Sequence, residues 1–241
     1  MISPTMLEKL RKFDTPTICN VIELFDVRPR NTGFMDSRIV ACFPEMPPIV
    51  GFAATATFRS SAPPRQGDVY SGLDKQVERF TELSGPAIVV FQDLDQPTVA
   101  ATFGEIMCTT YKSFGAVGLV TSGAGRDLDQ VRKLGFPVFT RGTICAHGYS
   151  HIPQIHIPVH VGGIAVYPDE LVHGDCNGVT TVPRDIAEEV ADVGDEYVAA
   201  EMIVIEAMRR TDSDLRLLRE ATAESKNQMA VLRARVSRKQ K

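Results

Sequence analysis

Apolar positions recur at helical spacing from Thr5 to Phe13. Asp14-Thr15-Pro16 then opens a second helix that reaches Phe25, with a capping Asp and a Pro at the first helical position. Residues 28–48 are Pro-rich and irregular. Ile49–Arg59 alternates small and β-branched residues and predicts a strand. A loop over 60–70 carries Pro63-Pro64 and Gly67-Asp68, and Ser71–Ser84 has a helical pattern that Gly85-Pro86 stops. Ala87–Phe91 is apolar throughout and predicts a buried strand. Two β-α-β passes follow, a helix over 105–114 into a strand over 116–121, then a helix over 127–134 into a strand over 136–140. Residues 155–182 divide into several short strands. Pro183 opens a long helix to about Arg210, and a charged helix fills 212–236.

This order predicts an α/β fold, with a catalytic-sized domain over 1–210 and a charged helical extension over 211–241. The two C-terminal helices have few evident partners within the chain. They are expected to pack on a neighbouring subunit.

Composition narrows the function. The chain has 241 residues, 44% of them hydrophobic, enough for a sizeable core. A net charge of −4 gives no footprint for nucleic acid. No apolar run approaches ~20 residues, so no membrane span is expected. The N-terminal residues lack the basic-then-apolar pattern of a signal peptide. Five scattered cysteines without a C-x-x-C motif fit reduced thiols and a cytoplasmic setting. Basic residues at 226, 233, 235, 238, 239 and 241 read as a solvated helix end rather than a nucleic-acid tail.

The densest chemistry lies between 104 and 127. Gly104-Glu105-Ile106-Met107 begins a helix whose free N–H groups are suited to an anion. The strand over 116–120 breaks into Gly123-Ala-Gly125, and Arg126-Asp127 follows at the strand's carboxyl edge, where open α/β sheets hold ligands. Two readings of this pair compete. Asp127 is a good cap for the helix over 128–134, with Arg126 in a surface ion pair. Alternatively Asp127 binds a divalent cation and Arg126 clamps a carboxylate with its planar fork.

Other constellations are weaker. His151, His156 and His160 suggest zinc, but on a strand His156 and His160 would lie roughly 13 Å apart, too far to share an ion. Ile155, Ile157, Val159 and Val161 would form a core face. His173-Gly174-Asp175 reads equally as a turn or as the border of a site, and His147 begins the His-rich segment 147–173, to which the sequence assigns no role. The third glycine of a dinucleotide fingerprint, the Gly-Lys-Ser/Thr phosphate loop and the Gly-x-Ser-x-Gly elbow are all missing.

Taken together, the motifs resemble the RraA-like family, which holds the regulators of ribonuclease E activity A and the 4-hydroxy-4-methyl-2-oxoglutarate aldolases. The resemblance runs from about 10 to 205. It is carried by Asp14–Asn20, Ile49–Ala53, Gly104-Glu105, the spaced glycines before Arg126-Asp127, Phe136–Phe139, Val161–Gly163, His173–Asp175 and Gly178–Pro183. The family's usual Asp in the first helix is Asn20 here, and 141–160 departs from the typical aldolases.

The resemblance implies a compact layered α/β fold akin to the swivelling β/β/α domains, assembled as homotrimers or homohexamers with sites between subunits. It also implies a divalent-metal-dependent pyruvate-type aldolase that uses Mg²⁺ or Mn²⁺ and also decarboxylates oxaloacetate. Asp127 would be the direct metal ligand. Glu105, together with Glu201 from the adjacent subunit, would hold metal waters. Arg126 and the Gly104–Met107 loop would bind the 2-oxo acid. Glu201 comes from counting eighteen residues past Pro183, with Glu196 and Glu206 close by. No lysine is nominated for a Schiff base, Lys112 and Lys133 being the ones nearby. A non-catalytic regulator or another 2-oxo or sugar-acid lyase on the same scaffold are the alternatives. Asp127 favours an enzyme, because the regulators generally lack that carboxylate.

Overall fold

The computed structural model describes residues 3–238. The chain opens with α1 (Pro4–Leu10) and α2 (Thr15–Leu24). Asp14 caps α2 as its sequence predicts, its carboxylate accepting the Thr17 N–H at 2.8 Å. The main sheet has seven strands in the order β1-β7-β5-β3-β2-β10-β11. These are β1 (Val40–Ala41), β2 (Ile49–Phe58), β3 (Ala87–Asp93), β5 (Gly118–Thr121), β7 (Val138–Thr140), β10 (Leu171–Asp175) and β11 (Gly178–Thr181). Strands β2, β3, β5 and β7 run parallel, and β1, β10 and β11 join antiparallel at the two sides. The segment just before β1 also reaches the opposite edge, since the Met35 N–H donates to Val179 O on β11. One stretch of chain therefore touches both edges, and the sheet nearly closes into a barrel.

The parallel strands succeed one another in a single direction. Right-handed crossovers then place α3 (Leu73–Glu78), α4 (Glu105–Ser113) and α5 (Leu128–Leu134) on one face. There Ala54, Ala56, Phe58, Val89 and Phe91 pack against Met107, Tyr111 and Val131. Residues of opposite parity, Ala53, Ile88 and Val90, face a second layer with Val159, Val161 and Val166 of the hairpin β8 (Val159–Val161) and β9 (Ile164–Val166). A small parallel pair, β4 (Ala101–Phe103) and β6 (Ala124–Gly125), sits beside the main sheet.

The helix read over 71–84 is shorter, α3 followed by a turn of 3-10 helix at Arg79–Glu82. The irregular stretch 28–48 contains β1, β6 lies in the glycine-rich break at Gly123–Gly125, and β4 lies in a stretch to which the sequence assigns no element. His156 is not on a strand. Its φ is +59° and the chain crosses over there, so Ile155 packs with the α3–α5 layer and Ile157 with the β8–β9 layer. The four apolar residues do not share one face.

The C-terminal helices have more partners within the chain than their sequence suggests. α6 (Ala187–Arg209) and α7 (Leu215–Val236) form a hairpin, and Val190, Val193, Leu232 and Val236 join α1 and α2 in one core. The basic end of α7 is clamped to the body, Arg233 to Asp26, Arg235 to Glu196 and Arg238 to Glu189, with Arg238 over the Phe25 ring. Lys239 and Lys241 lie outside the described residues. From Glu201 to Glu220 no side chain is fully buried. No helix among the described residues is long and apolar enough to cross a membrane.

Candidate functional site

The parallel pair β4–β6 brings the two sequence segments together. Gly125 lies so close to the Phe103 ring that a Cβ would come within 2.1 Å of it. The Arg126 N–H donates to Phe103 O at 3.2 Å. Arg126 and Asp127 thus land beside the start of α4.

Asp127 does not cap its own helix. Its backbone is left-handed, φ +56°, and its side chain makes no capping bond to α5. Instead Oδ2 accepts the Glu105 N–H at 3.1 Å, and Arg126 Nε lies 3.7 Å from the same oxygen. Oδ1 makes no hydrogen bond among the described residues. The carboxylate therefore sits at the positive end of α4, where the helix dipole favours it. Gly104 permits this approach. A Cβ there would lie 2.6 Å from Asp127 Oδ2 and 3.0 Å from Arg126 Nε.

The remaining free donors of α4 fit the anion cradle. The Ile106 and Met107 N–H groups have no acceptor among the described residues, while the Cys108 N–H begins the helical ladder on Gly104 O. Met107 is buried, and Glu105 and Ile106 are exposed. Arg126 and Asp127 are partly exposed, so the site is an open face.

Tyr70 is the residue that sequence reasoning missed. Its hydroxyl accepts from Arg126 Nη2 at 3.0 Å. Tyr70 has φ +65°, a conformation unfavourable for a bulky residue, and its N–H is held by Ser150 O at 2.6 Å. Its ring lies 6.0 Å from the His147 ring. The one sequence hint is its place directly after Gly67-Asp68-Val69, in a loop otherwise without aromatic residues.

Glu201 lies elsewhere in the chain. It is on α6, which packs on α1, α2 and α7, and its neighbour is Tyr197. Burial first, then the Glu201 charge, pushes the Tyr197 phenol up to about 12. No hydrogen bond joins Glu201 to Arg126 or Asp127 among the described residues. Of the alternatives, Glu196 is held by Arg235 at 2.6 Å and Glu206 is exposed. Lys112 is engaged with Leu134 O at the end of α5.

The His173 region is structural. The imidazole is fully buried, with Nε2 3.2 Å from Leu10 O and Nδ1 2.9 Å from the Thr15 hydroxyl. Asp175 accepts the Thr15 N–H at 2.9 Å. These groups fasten α1 and α2 to β10, and burial holds the His173 pKa below its usual value.

No three His, Cys, Asp or Glu side chains gather into a cation site among the described residues. A cage of protein ligands is thus not what this face offers. One carboxylate beside a second acid, on an open face, matches a cation that keeps most of its water, as Mg²⁺ does.

The fold and face define an α/β protein with an Arg-Asp pair docked on a helix N-terminus. The chain belongs to the RraA-like family, whose model, described as Aldolase/RraA, matches residues 15–181. One relative, from Halalkalibacterium halodurans, is named "Putative 4-hydroxy-4-methyl-2-oxoglutarate aldolase". It is 33% identical over 129 residues, covering 53% of this chain and 61% of the relative. A protein of the same name from Alcanivorax borkumensis is 31% identical over 85 residues, 35% of this chain and 53% of that one. The match thus spans less than two thirds of either relative. Among solved structures, an uncharacterised protein from Pseudomonas syringae pv. tomato aligns with a TM-score of 0.71 at 21% identity, covering 92% of this chain and 94% of that one. Streptomyces coelicolor RraAS2, described as an unusual member of the RNase ES inhibitor RraA family, aligns at 0.67 and 23% identity, covering 83% and 95%. Both structures share the fold.

Proposed function

We propose that this chain is a divalent-metal-dependent pyruvate-type aldolase, a carbon–carbon lyase. It would cleave a 4-hydroxy-2-oxo acid such as 4-hydroxy-4-methyl-2-oxoglutarate to pyruvate, and decarboxylate oxaloacetate at the same site. One observation carries the reading. The Asp127 side chain is not used as the cap of α5 but is held with Arg126 at the open end of α4.

In this reading Arg126 grips the substrate carboxylate with its planar fork, and Tyr70 fixes the guanidinium. The free Ile106 and Met107 amides take the second carboxylate oxygen. Asp127 Oδ1 is the oxygen left for Mg²⁺ or Mn²⁺, with Glu105 holding a bound water and Glu201 doing so from an adjacent subunit. The cation supplies Lewis acidity to the 2-oxo group. Retro-aldol cleavage needs the C4-hydroxyl proton to leave as C3–C4 breaks, the electron pair to reach the C2 oxygen, and a proton to return to C3. A water beside Arg126 is the base. Decarboxylating oxaloacetate leaves the same electron pair to be stabilised, which is why one face serves both reactions.

The open face and the exposed 201–220 hairpin tip support a homotrimer or a dimer of trimers in which α6 completes the neighbour's site. The test is pyruvate release from 4-hydroxy-2-oxo acids and oxaloacetate with Mg²⁺ and with EDTA. Release that EDTA abolishes and Mg²⁺ restores is expected. Absence of pyruvate from every substrate would leave a ring-shaped binding protein as the reading.

A further inference from the structure

A second cavity opens at the carboxyl ends of β3, β5 and β7. It holds about 280 Å³ and is lined by Gln92, Asp93, Ser122, Arg141 and His160, with Arg38 at its edge. That is just under the roughly 300–1,000 Å³ typical of drug-sized ligands, so it suits a smaller molecule. None of the residues at the Arg126-Asp127 face lines it. Three adjacent parallel strands end here, the place where α/β sheets present ligand-binding groups.

Asp93 is the unusual member. It is only 3% exposed, and its Oδ2 is a buried oxygen with no hydrogen-bond partner. Such orphans are rare in folded proteins and call for an explanation. The rest of the group is satisfied. Its backbone N–H donates to Ser122 Oγ at 2.9 Å, and Oδ1 accepts the Asp95 N–H at 3.0 Å. Gly123 closes the other side, where a Cβ would come within 2.9 Å of Oδ2. Burial chiefly raises the Asp93 pKa; the Asp95 N–H and the nearby Thr98 hydroxyl oppose it, and of the surrounding charges Asp95 raises it and Arg141 lowers it.

The cations around the cavity are not equivalent. Arg38 is spent on Asp36, with bonds of 2.9 and 2.5 Å. The Arg141 guanidinium makes no hydrogen bond or close ion pair among the described residues. The Ser122 hydroxyl accepts from Asp93, and its own proton has no acceptor among them. The cavity thus offers a guanidinium fork, a spare hydroxyl donor, and one buried oxygen that lacks a donor. An inorganic anion satisfies the first two and leaves the third unmet.

We propose that this cavity binds a small hydroxycarboxylate, with Arg141 taking the carboxylate and Asp93 Oδ2 accepting a hydrogen bond from the ligand's hydroxyl. The site is separate from the aldolase face and does not depend on its activity.

Malate and succinate differ by that one hydroxyl and serve as probes. Calorimetry on the full chain should show one malate enantiomer binding about tenfold more tightly than succinate, the scale of one hydrogen bond to a charged group. The difference should persist in Arg126→Gln, which removes carboxylate binding at the other face. Arg141→Gln should abolish binding of both probes and leave metal-dependent pyruvate release unchanged. Asp93→Asn keeps Oδ1 and the side-chain volume. It should erase the malate preference, while the free protein melts no lower than wild type. Four results would each overturn the proposal: no binding of either probe, equal binding of malate and succinate, binding that disappears with Arg126→Gln, or an Asp93→Asn protein that melts lower.

Discussion

Asp127→Asn separates catalysis from architecture at nearly constant volume. In the fold, the carboxylate makes one charge-assisted hydrogen bond, from the Glu105 N–H at 3.1 Å. An amide oxygen accepts the same bond as a neutral group. Bonds to charged groups contribute about 1.5–3 kcal/mol and neutral ones about 0.5–1.5, so the difference is about 1 kcal/mol. The side chain is 35% exposed and its Arg126 contact is long, which places the cost at or below that figure. For a chain of this size about 1 kcal/mol lowers Tm by about 2–4 °C. Catalysis should suffer far more. Losing an outer partner of a metal site costs about 10–100-fold, and losing the anionic ligand itself should exceed about 100-fold in kcat/KM. Paired measurements of Tm and Mg²⁺-dependent pyruvate release check both halves. A variant that melts within a few degrees of wild type and still releases pyruvate at near-wild-type rate would refute the metal-site reasoning.

Three further outcomes follow from named contacts. Tyr70→Phe removes the acceptor of Arg126 Nη2 and should raise KM about 2–10-fold with a smaller change in kcat, read from steady-state pyruvate release; an unchanged KM would show that Arg126 needs no such support. Glu201→Ala should lower metal-dependent turnover about 10–100-fold while light scattering gives the same particle mass as wild type; full activity here and loss in Glu206→Ala would move the water-holding acid one turn and more along α6. His173 has a folded pKa below its usual 6.5, so the unfolded chain takes up the proton first as pH falls. Its contribution is fully present above pH 6.5 and declines as pH drops below it towards the folded value. The Tm difference between wild type and His173→Gln should therefore narrow between pH 7.5 and 5.5, and a constant difference would contradict the assignment.

Much of this architecture is written locally. Asp14 and Pro16 fix the start of α2, and the alternating small and β-branched residues from Ile49 and the unbroken apolar run Ala87–Phe91 mark β2 and β3 by their composition. The Arg126-Asp127 pair was visible because glycines and a strand end flank it. Its role was not, since either helix could claim Asp127 and only the β4–β6 pairing decides which one does. Strands of two or three residues, such as β1, β4 and β6, carry no period to detect. Tyr70 meets Arg126 across 56 residues, and His173 meets Leu10 across 163. Such contacts are products of packing, and no local pattern records them.

The helical hairpin changes character at Ala200, the last fully buried residue of α6. Beyond it the α6–α7 tip is held by hydrogen bonds within each helix and by half-covered side chains, with nothing buried until Ala221. Local opening of such a segment needs less free energy than opening the body. In the isolated chain, amide hydrogens over 203–218 should exchange with solvent sooner than those over 190–200, and Glu201 stands on the boundary. A neighbouring subunit that grips this tip would slow that exchange, so the protection profile reports directly on whether the assembled state exists.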